Sequence, residues 1–318
     1  MISYFITNNN SLLAFGGILT AFIATCFMIS KCSQYLPKDQ GRDFAVEGKK
    51  SAGKPRGAGI VFVLVFAVTT LLFANLTTEL CIYLMLVVIE MLTGFFDDTA
   101  DKPWGELRKG ILDLIVAAAV SFTYFYYNSS TLIVGPYTIT LPPAVLLLCA
   151  IVLVWVSINV TNCADGVDGL SGTLTIITLM TIYIFSSILS QGEEFALPIL
   201  IFAVCILGYL WYNATPSRLL MGDAGSRAMG VFISIAILKT GNPILYIPAA
   251  FVLIMDGGLG LVKVALIRVC KVHILKNVLT PLHDHVRKKS GWSNTQTVFR
   301  FAIIQIVISI AMVYILLI

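Results

Sequence analysis

The chain has 318 residues, 58% of them hydrophobic and only 12% charged, with a mean hydropathy of +0.91. Soluble domains carry about 25% charged residues, so a soluble globular protein is excluded, and apolar runs recur along the whole length without a segment that resembles a separate soluble domain. The net charge of +4 suggests only a weak preference for acidic partners, and its distribution along the chain says more.

A hydrocarbon core takes ~20 mostly apolar residues per helix. On that measure the sequence predicts ten spans, near 11–30, 58–75, 79–96, 110–127, 142–160, 170–190, 195–213, 228–240, 243–268 and 298–317. The expected fold is therefore an all-α integral membrane protein, a single polytopic domain over 1–318. The first run lacks the small-residue cleavage site of a removable signal and is expected to stay as an anchor. Seven scattered cysteines without a CxxC pair read as free thiols in helix packing.

The predicted spans sort the loops into two sets. One holds 31–57, 97–109, 161–169, 214–227 and 269–297. The other holds the tails, the links near 76, 191 and 241, and the segment 128–141, whose alternation around Gly135-Pro136 predicts a small hairpin. Of 21 Lys and Arg, 20 lie in the first set or in the helix ends leading to it, and only Lys239 lies at the other face. The positive-inside rule then makes the first set cytoplasmic, with the hairpin and both termini outside.

The polar motifs all fall on that cytoplasmic side. In chain order the first is EGKKSAGKPRGAG, with Lys49, Lys50, Lys54 and Arg56 among glycines. Most of this charge serves sidedness, and some of it is suited to an anionic substrate or lipid headgroup. Asp97 and Asp98 then close an apolar helix. The helix dipole disfavours negative charge there and the two acids repel each other, so a nearby cation would relieve both costs. One acid alone would be ordinary boundary charge.

In NCADGVDGL, Asp165 and Asp168 share a face if the turn is helical, and the glycines let the backbone approach a ligand closely. A plain polar turn of the same composition is the alternative. In NATPSRLLMGDAGSRAMG, Asp223 follows a glycine and the next helix is expected to open at about Ser226. Free N–H groups at that point favour phosphate, although an ordinary cap explains the residues equally well.

The three histidines, His273, His283 and His285, share one cytoplasmic segment. Two His and one Asp without cysteines make an incomplete zinc set, so the last two read as hydrogen-bond donors to a diphosphate and His273 as interfacial and inert. Glu90, Asp113, Asp256 and Lys263 lie within spans, where charge is costly in lipid. They keep an ion-coupled transporter open as a different class of function. Against it, the chain has no internal repeat, and a transporter leaves the gathering of the motif acids on one face unexplained. Carboxylate oxygens without thiolates suit Mg²⁺ or Mn²⁺. The chemistry expected is phosphoryl transfer to or from a lipid phosphate at the membrane face, with no nucleic acid involved.

GFFDD with Lys109 downstream, NCADGVDGLS and MGDAGS, in this order and on this side, resemble the polyprenyl-phosphate N-acetylhexosamine-1-phosphate transferase superfamily over almost the entire chain. The last loop, TPLHDHVRKKSGWSNTQTVFRF, resembles the PxHHHxE...GW...V..RFW pattern of its phospho-N-acetylmuramoyl-pentapeptide transferases. Two departures stand out. Asp284 replaces the central histidine, and GKPRGAG is closer to the PRGGG of the N-acetylglucosamine-1-phosphate branch, the competing assignment.

The resemblance implies that undecaprenyl phosphate attacks the β-phosphate of UDP-N-acetylmuramoyl-pentapeptide with Mg²⁺ assistance, giving lipid I and UMP. It places the enzyme in a bacterial plasma membrane, with a homodimer as an assembly state. Carried over residue by residue, it makes Asp223 the principal metal ligand and assigns Asp97 and Asp98 to the lipid phosphate or metal. His283, with His285 beside it, would meet the diphosphate. Asn162, Asp165 and Asp168 would hold the nucleotide and its phosphates, and Asn213 would lie near the uracil. Beside these, Gly166 in the hinge, Ser226 at the expected helix start and Lys50 in the basic stretch are read from their own motifs as substrate-binding. Asp284 is expected to pair with Arg287, turned away from the diphosphate.

Overall fold

A helical segment stands at each of the ten predicted spans. The structure, a computed structural model, describes residues 10–41, 51–100, 102, 104–129, 131–134, 137–140 and 142–318. The first eight segments are α1 (Asn10–Cys32), α2 (Gly59–Phe73), α3 (Thr78–Thr99), α4 (Glu106–Tyr127), α5 (Pro143–Cys163), α6 (Leu170–Leu189), α7 (Ala196–Asn213) and α8 (Gly222–Lys239). A bent segment, a short amphipathic helix (Leu282–Ser290) and a C-terminal helix (Asn294–Leu317) follow. Between α4 and α5, strands Thr131–Val134 and Tyr137–Thr140 pair antiparallel; the predicted turn Gly135-Pro136 lies outside the described residues.

Length and composition alone do not reach the predicted count of ten crossings. Among the described residues, seven helices are long and apolar enough to cross a bilayer, or eight if the bent pair is one span. The two that fall short are α2 and α8. With 15 residues, α2 is only ~22 Å long at 1.5 Å per residue. α8 carries Asp223, Arg227 and Lys239 among its 18 residues, and every one of the 18 is buried. Its solvent is the other helices rather than lipid, so its sequence is released from the apolar rule.

Glycine lets the neighbours approach α8 this closely. A Cβ on Gly94 of α3 would stand 2.5 Å from the Asp223 carbonyl oxygen, and one on Gly230 would stand 2.5 Å from the carbonyl oxygen of Ser157 on α5. Small residues at such contacts are how membrane helices pack backbone to backbone. Farther along α8 the seam turns aromatic, with Phe66 of α2, Phe202 of α7 and Phe232 of α8 at centroid separations of 4.4–4.9 Å.

The opposite end of α8 is pinned by Lys239, the lone cation of that face. Its Nζ lies 3.0 Å from Glu79, 2.9 Å from Glu194 and 2.8 Å from Asn128 Oδ1. Two carboxylates thus offset the one lysine there.

The segment after α8 bends by 75° between Pro243–Ala249 and Phe251–Cys270. A break inside a membrane frees backbone groups that need partners. Gln305 of the C-terminal helix supplies them: its Oε1 accepts from Val252 N at 2.9 Å and its Nε2 donates to the Pro248 carbonyl at 2.9 Å.

Candidate active site

The site begins where α8 begins, and α8 begins earlier than predicted. It opens at Gly222 rather than near Ser226, which puts Asp223 inside the first turn. The reason is a cap from another helix: Asp98, at the end of α3, accepts the Ala224 N–H at 3.2 Å, satisfying one of the amides that a helix start leaves unpaired. Gly222 has φ +69 and lies so close to Asp98 that a Cβ would collide with the carboxylate. Sequence spacing has no means of announcing a cap 126 residues away.

Four carboxylates then meet two cations. Asp98 Oδ1 accepts from Arg56 Nε and Nη2, both at 2.9 Å. Arg56 Nη2 is also 3.6 Å from Asp223 Oδ1, and its Nη1 is 3.2 Å from Asp39 Oδ1. Lys109 Nζ contacts Asp97 Oδ2 and lies 3.2 Å from Asp223 Oδ2. Asp97 also accepts the Trp104 N–H at 2.7 Å. The cation demanded by two adjacent acids at a helix C-terminus is therefore present twice. Burial of Arg56 works against its charge, but Asp98 first, then Asp223, Asp39 and Asp165, outweigh it and hold the guanidinium above its ordinary range.

Asp39 and a strap formed by residues 51–56 carry Arg56 into place. Asp39 accepts from Ser51 Oγ at 2.5 Å, Asp39 N donates to the Lys54 carbonyl at 2.9 Å, and Lys38 bridges to Pro55. The same strap sends Lys54 Nζ to Ser217 Oγ at 2.8 Å and to within 4.0 Å of Asp168. Of the basic stretch, then, Lys54 and Arg56 reach acids of the site; Lys49 and Lys50 lie outside the described residues.

The hinge between α5 and α6 is a pair of turns, not the helical turn that would stack its two acids. Gly169, at φ +82, ends it in the left-handed region. Asp168 faces the strap and accepts the Ser217 N–H at 3.2 Å, whereas Asp165 lies close enough to Arg56 to contribute to its charge. Asn162 donates to Ser226 Oγ at 2.9 Å, joining the hinge to α8. Asn213 is buried with its amide engaged on both sides, accepting from Gly169 N and donating to the Leu219 carbonyl, each at 2.8 Å. It fastens the hinge to the segment before α8.

His283 closes the site from the other direction. It is 2% exposed; its backbone N–H and its Nδ1 both meet the Asp256 carboxylate, at 2.7 and 2.8 Å. An ionised carboxylate only accepts, so Nδ1 carries the proton and Nε2 points to the hinge, against Gly166. Asp256 sits in a π-helical stretch, Ile254–Gly258, a form of local strain frequent at functional sites. His285 turns elsewhere, its Nδ1 accepting the Leu279 N–H at 3.2 Å. Asp284 pairs with Arg287 at 3.5 Å, as its spacing predicts, but the same oxygen lies 3.8 Å from His283 Nε2, so the carboxylate is not turned away from that ring as expected.

The four ionisable groups within predicted spans thus have partners. Asp256 holds His283, Glu90 and Asp113 hold Arg227, and Lys263 donates to the carbonyls of Leu275 and Val278 at 3.2 and 2.9 Å. Asp39 and Arg227 are the site's unforeseen members, and Arg56, expected only as part of a basic stretch suited to an anionic substrate, holds the acids of the site. An arginine among lysines and glycines is the only signal the sequence offers for it.

Among the described residues no three acid, histidine or cysteine side chains form a ready-made metal cage. The donors that converge, Asp97, Asp98 and Asp223, offer oxygen alone. That set fits Mg²⁺, which takes one or two carboxylates and completes its shell with water and substrate phosphate.

The model of the glycosyl transferase family 4 matches residues 80–241, just over half of the chain, from the first turn of α3 past the end of α8. The chain belongs to this family. Over nearly its full length, this glycosyl transferase is 37% identical to the phospho-N-acetylmuramoyl-pentapeptide-transferase of Treponema pallidum, with 94% of this chain and 88% of the relative covered. Proteins of the same name from Clostridium acetobutylicum and Helicobacter pylori (strain J99) are 28% and 26% identical, over 81% and 91% of this chain and 83% and 89% of theirs.

Proposed function

We infer that the chain is a multi-pass membrane phosphoglycosyl transferase that passes phospho-N-acetylmuramoyl-pentapeptide from its UDP carrier to undecaprenyl phosphate, giving lipid I and UMP for peptidoglycan synthesis. The observation that carries the reading is the convergence of Asp97, Asp98 and Asp223 with Arg56 and Lys109 at the buried start of α8. The full-length likeness to enzymes named for this transfer supports the choice of sugar over N-acetylglucosamine.

In the reaction an oxygen of the lipid phosphate bonds to the β-phosphorus of the nucleotide sugar, and the bond from that phosphorus to the bridging oxygen breaks. The electron pair leaves with UMP. A phosphate monoester is already largely ionised at neutral pH, so no residue has to act as a base, and positioning with electrostatics carries the catalysis. Asp223, with Asp97 and Asp98, would hold Mg²⁺, which when bound supplies positive charge to two anionic substrates. Lys109 and Arg56, already seated among these acids, face the same phosphates. Asn162, Asp165, Gly166, Asp168 and Ser226 shape the nucleotide side. His283 meets the diphosphate through Nε2 at the Gly166 turn, with Asn213 and His285 bracing the walls.

The same reading sets the cluster, the strap and the hinge on the cytoplasmic side of a bacterial plasma membrane and both termini outside, following 20 of the 21 Lys and Arg. A homodimer would pack through α1 and the C-terminal helix, the two least buried of the long apolar helices. Release of UMP from UDP-N-acetylmuramoyl-pentapeptide, dependent on undecaprenyl phosphate, is the test.

A further inference from the structure

Deeper in the bundle, the helices that carry the carboxylate cluster carry a second set of charges. Glu90, Asp113 and Arg227 are 0%, 2% and 2% exposed. Arg227 Nε lies 3.0 Å from Glu90 Oε1, and Nη2 contacts Asp113 Oδ1. These are ion-pair contacts rather than aligned hydrogen bonds, since among the described residues neither Glu90 carboxylate oxygen nor Asp113 Oδ1 has a hydrogen-bond partner. Asn159 of α5 donates to the other oxygen of Asp113 at 3.2 Å while also donating to the Trp155 carbonyl at 2.9 Å. Arg227 Nη2 further reaches the Lys109 carbonyl at 3.5 Å.

The register of this triad matches that of the cluster. On α3, Glu90 precedes Asp97 by seven residues; on α4, Asp113 follows Lys109 by four; on α8, Arg227 follows Asp223 by four. Offsets of four and seven return to the same helix face. Each helix that gives a charge to the cluster therefore gives one to the triad, roughly 6 to 10 Å deeper at 1.5 Å per residue.

We propose that Arg227, Glu90 and Asp113 are positioning residues that fix the rotation and height of α3, α4 and α8, and so set the spacing of Asp97, Asp98, Lys109 and Asp223. The inference rests on the phosphoglycosyl-transfer reading of that cluster. Adhesion alone does not account for the triad, because a buried ion set stabilises a fold no better than well-packed apolar side chains of similar volume. The planar guanidinium fork of Arg227 adds direction: its Nε edge lies against the acid of α3 and its Nη2 against the acid of α4, a division that the compact charge of a lysine does not specify. Elsewhere along α8, where only close approach is needed, glycine provides it.

The decisive variant replaces the whole triad by apolar residues, Glu90→Leu, Asp113→Leu and Arg227→Met together, and is compared with Arg227→Lys, which keeps the charge but not the fork. Wild-type protein is assayed first; if it releases no UMP from either nucleotide sugar, the functional reading fails, and the variants are not needed to say so. Given an active wild type, the expected result is a thermal midpoint kept or raised in the triple variant, kcat lowered at least tenfold, and KM for the nucleotide sugar changed less than twofold. Arg227→Lys is expected to show the same split in milder form. Wild-type kcat in either variant, or a KM increase with kcat preserved, would overturn the proposal. If the triple variant does not fold, kcat and KM of Arg227→Lys decide alone.

Discussion

Gly166 lies directly against the imidazole of His283: a Cβ at this position would stand 2.8 Å from Cε1 and closer still to Nε2. The ring has nowhere to retreat, because Nδ1 is held by Asp256 on its far side. Gly166→Ala should therefore force the ring off Asp256 or open the hinge. The expected outcome is a loss of turnover of at least tenfold, with stability lowered by about 1–3 kcal/mol, as for other overpacked sites. Activity and a thermal midpoint like those of wild type would mean that the hinge and His283 do not work as a unit.

Asp223→Asn should abolish measurable turnover, a fall of at least a hundredfold or about 2.7 kcal/mol of transition-state stabilisation, while the protein still purifies folded. The amide keeps the size of the side chain and its seat in the first turn of α8, but it loses the charge that a hard cation needs. Near-normal activity at saturating Mg²⁺ would place the metal elsewhere.

The central position of the histidine motif should be tolerant and its first position intolerant. Asp284 engages Arg287 at 3.5 Å, with the arginine buried and the acid 19% exposed, and it takes no part in the Asp256–His283 contact, so Asp284→His is expected to retain activity. His283→Ala removes the group that joins Asp256 to the hinge and should lower kcat at least tenfold. Equal losses in the two variants, measured side by side, would contradict this division.

The helices were legible in the sequence because a membrane imposes one pattern on every lipid-facing segment. α8 broke that pattern because it meets no lipid. The acids of the site were legible as local motifs, and so was the Asp284–Arg287 pair, which lies three residues apart. What stayed hidden was long range. Arg56 and Asp98 are 42 positions apart, Lys109 and Asp223 are 114 apart, and Asp98 caps a helix 126 residues on. Asn213, expected near the uracil, has a second task that its spacing does not show: it fastens the hinge to the segment before α8. The in-span acids looked like an ion pathway only because their partners, Arg227 and His283, are not neighbours in sequence.

Sidedness is open to a direct test. In a cysteine-free background, Ser290→Cys, on an exposed residue at the end of the amphipathic helix, should resist an impermeant thiol reagent in intact cells and react once the membrane is permeabilised. Labelling in intact cells would invert the orientation.

The most direct measurement of the central claim is UMP release by the purified full chain with undecaprenyl phosphate and each nucleotide sugar in turn. Release with UDP-N-acetylmuramoyl-pentapeptide and negligible release with UDP-N-acetylglucosamine is the expected result, despite the GKPRGAG segment. Efficient use of UDP-N-acetylglucosamine, or no UMP from either substrate, would contradict it.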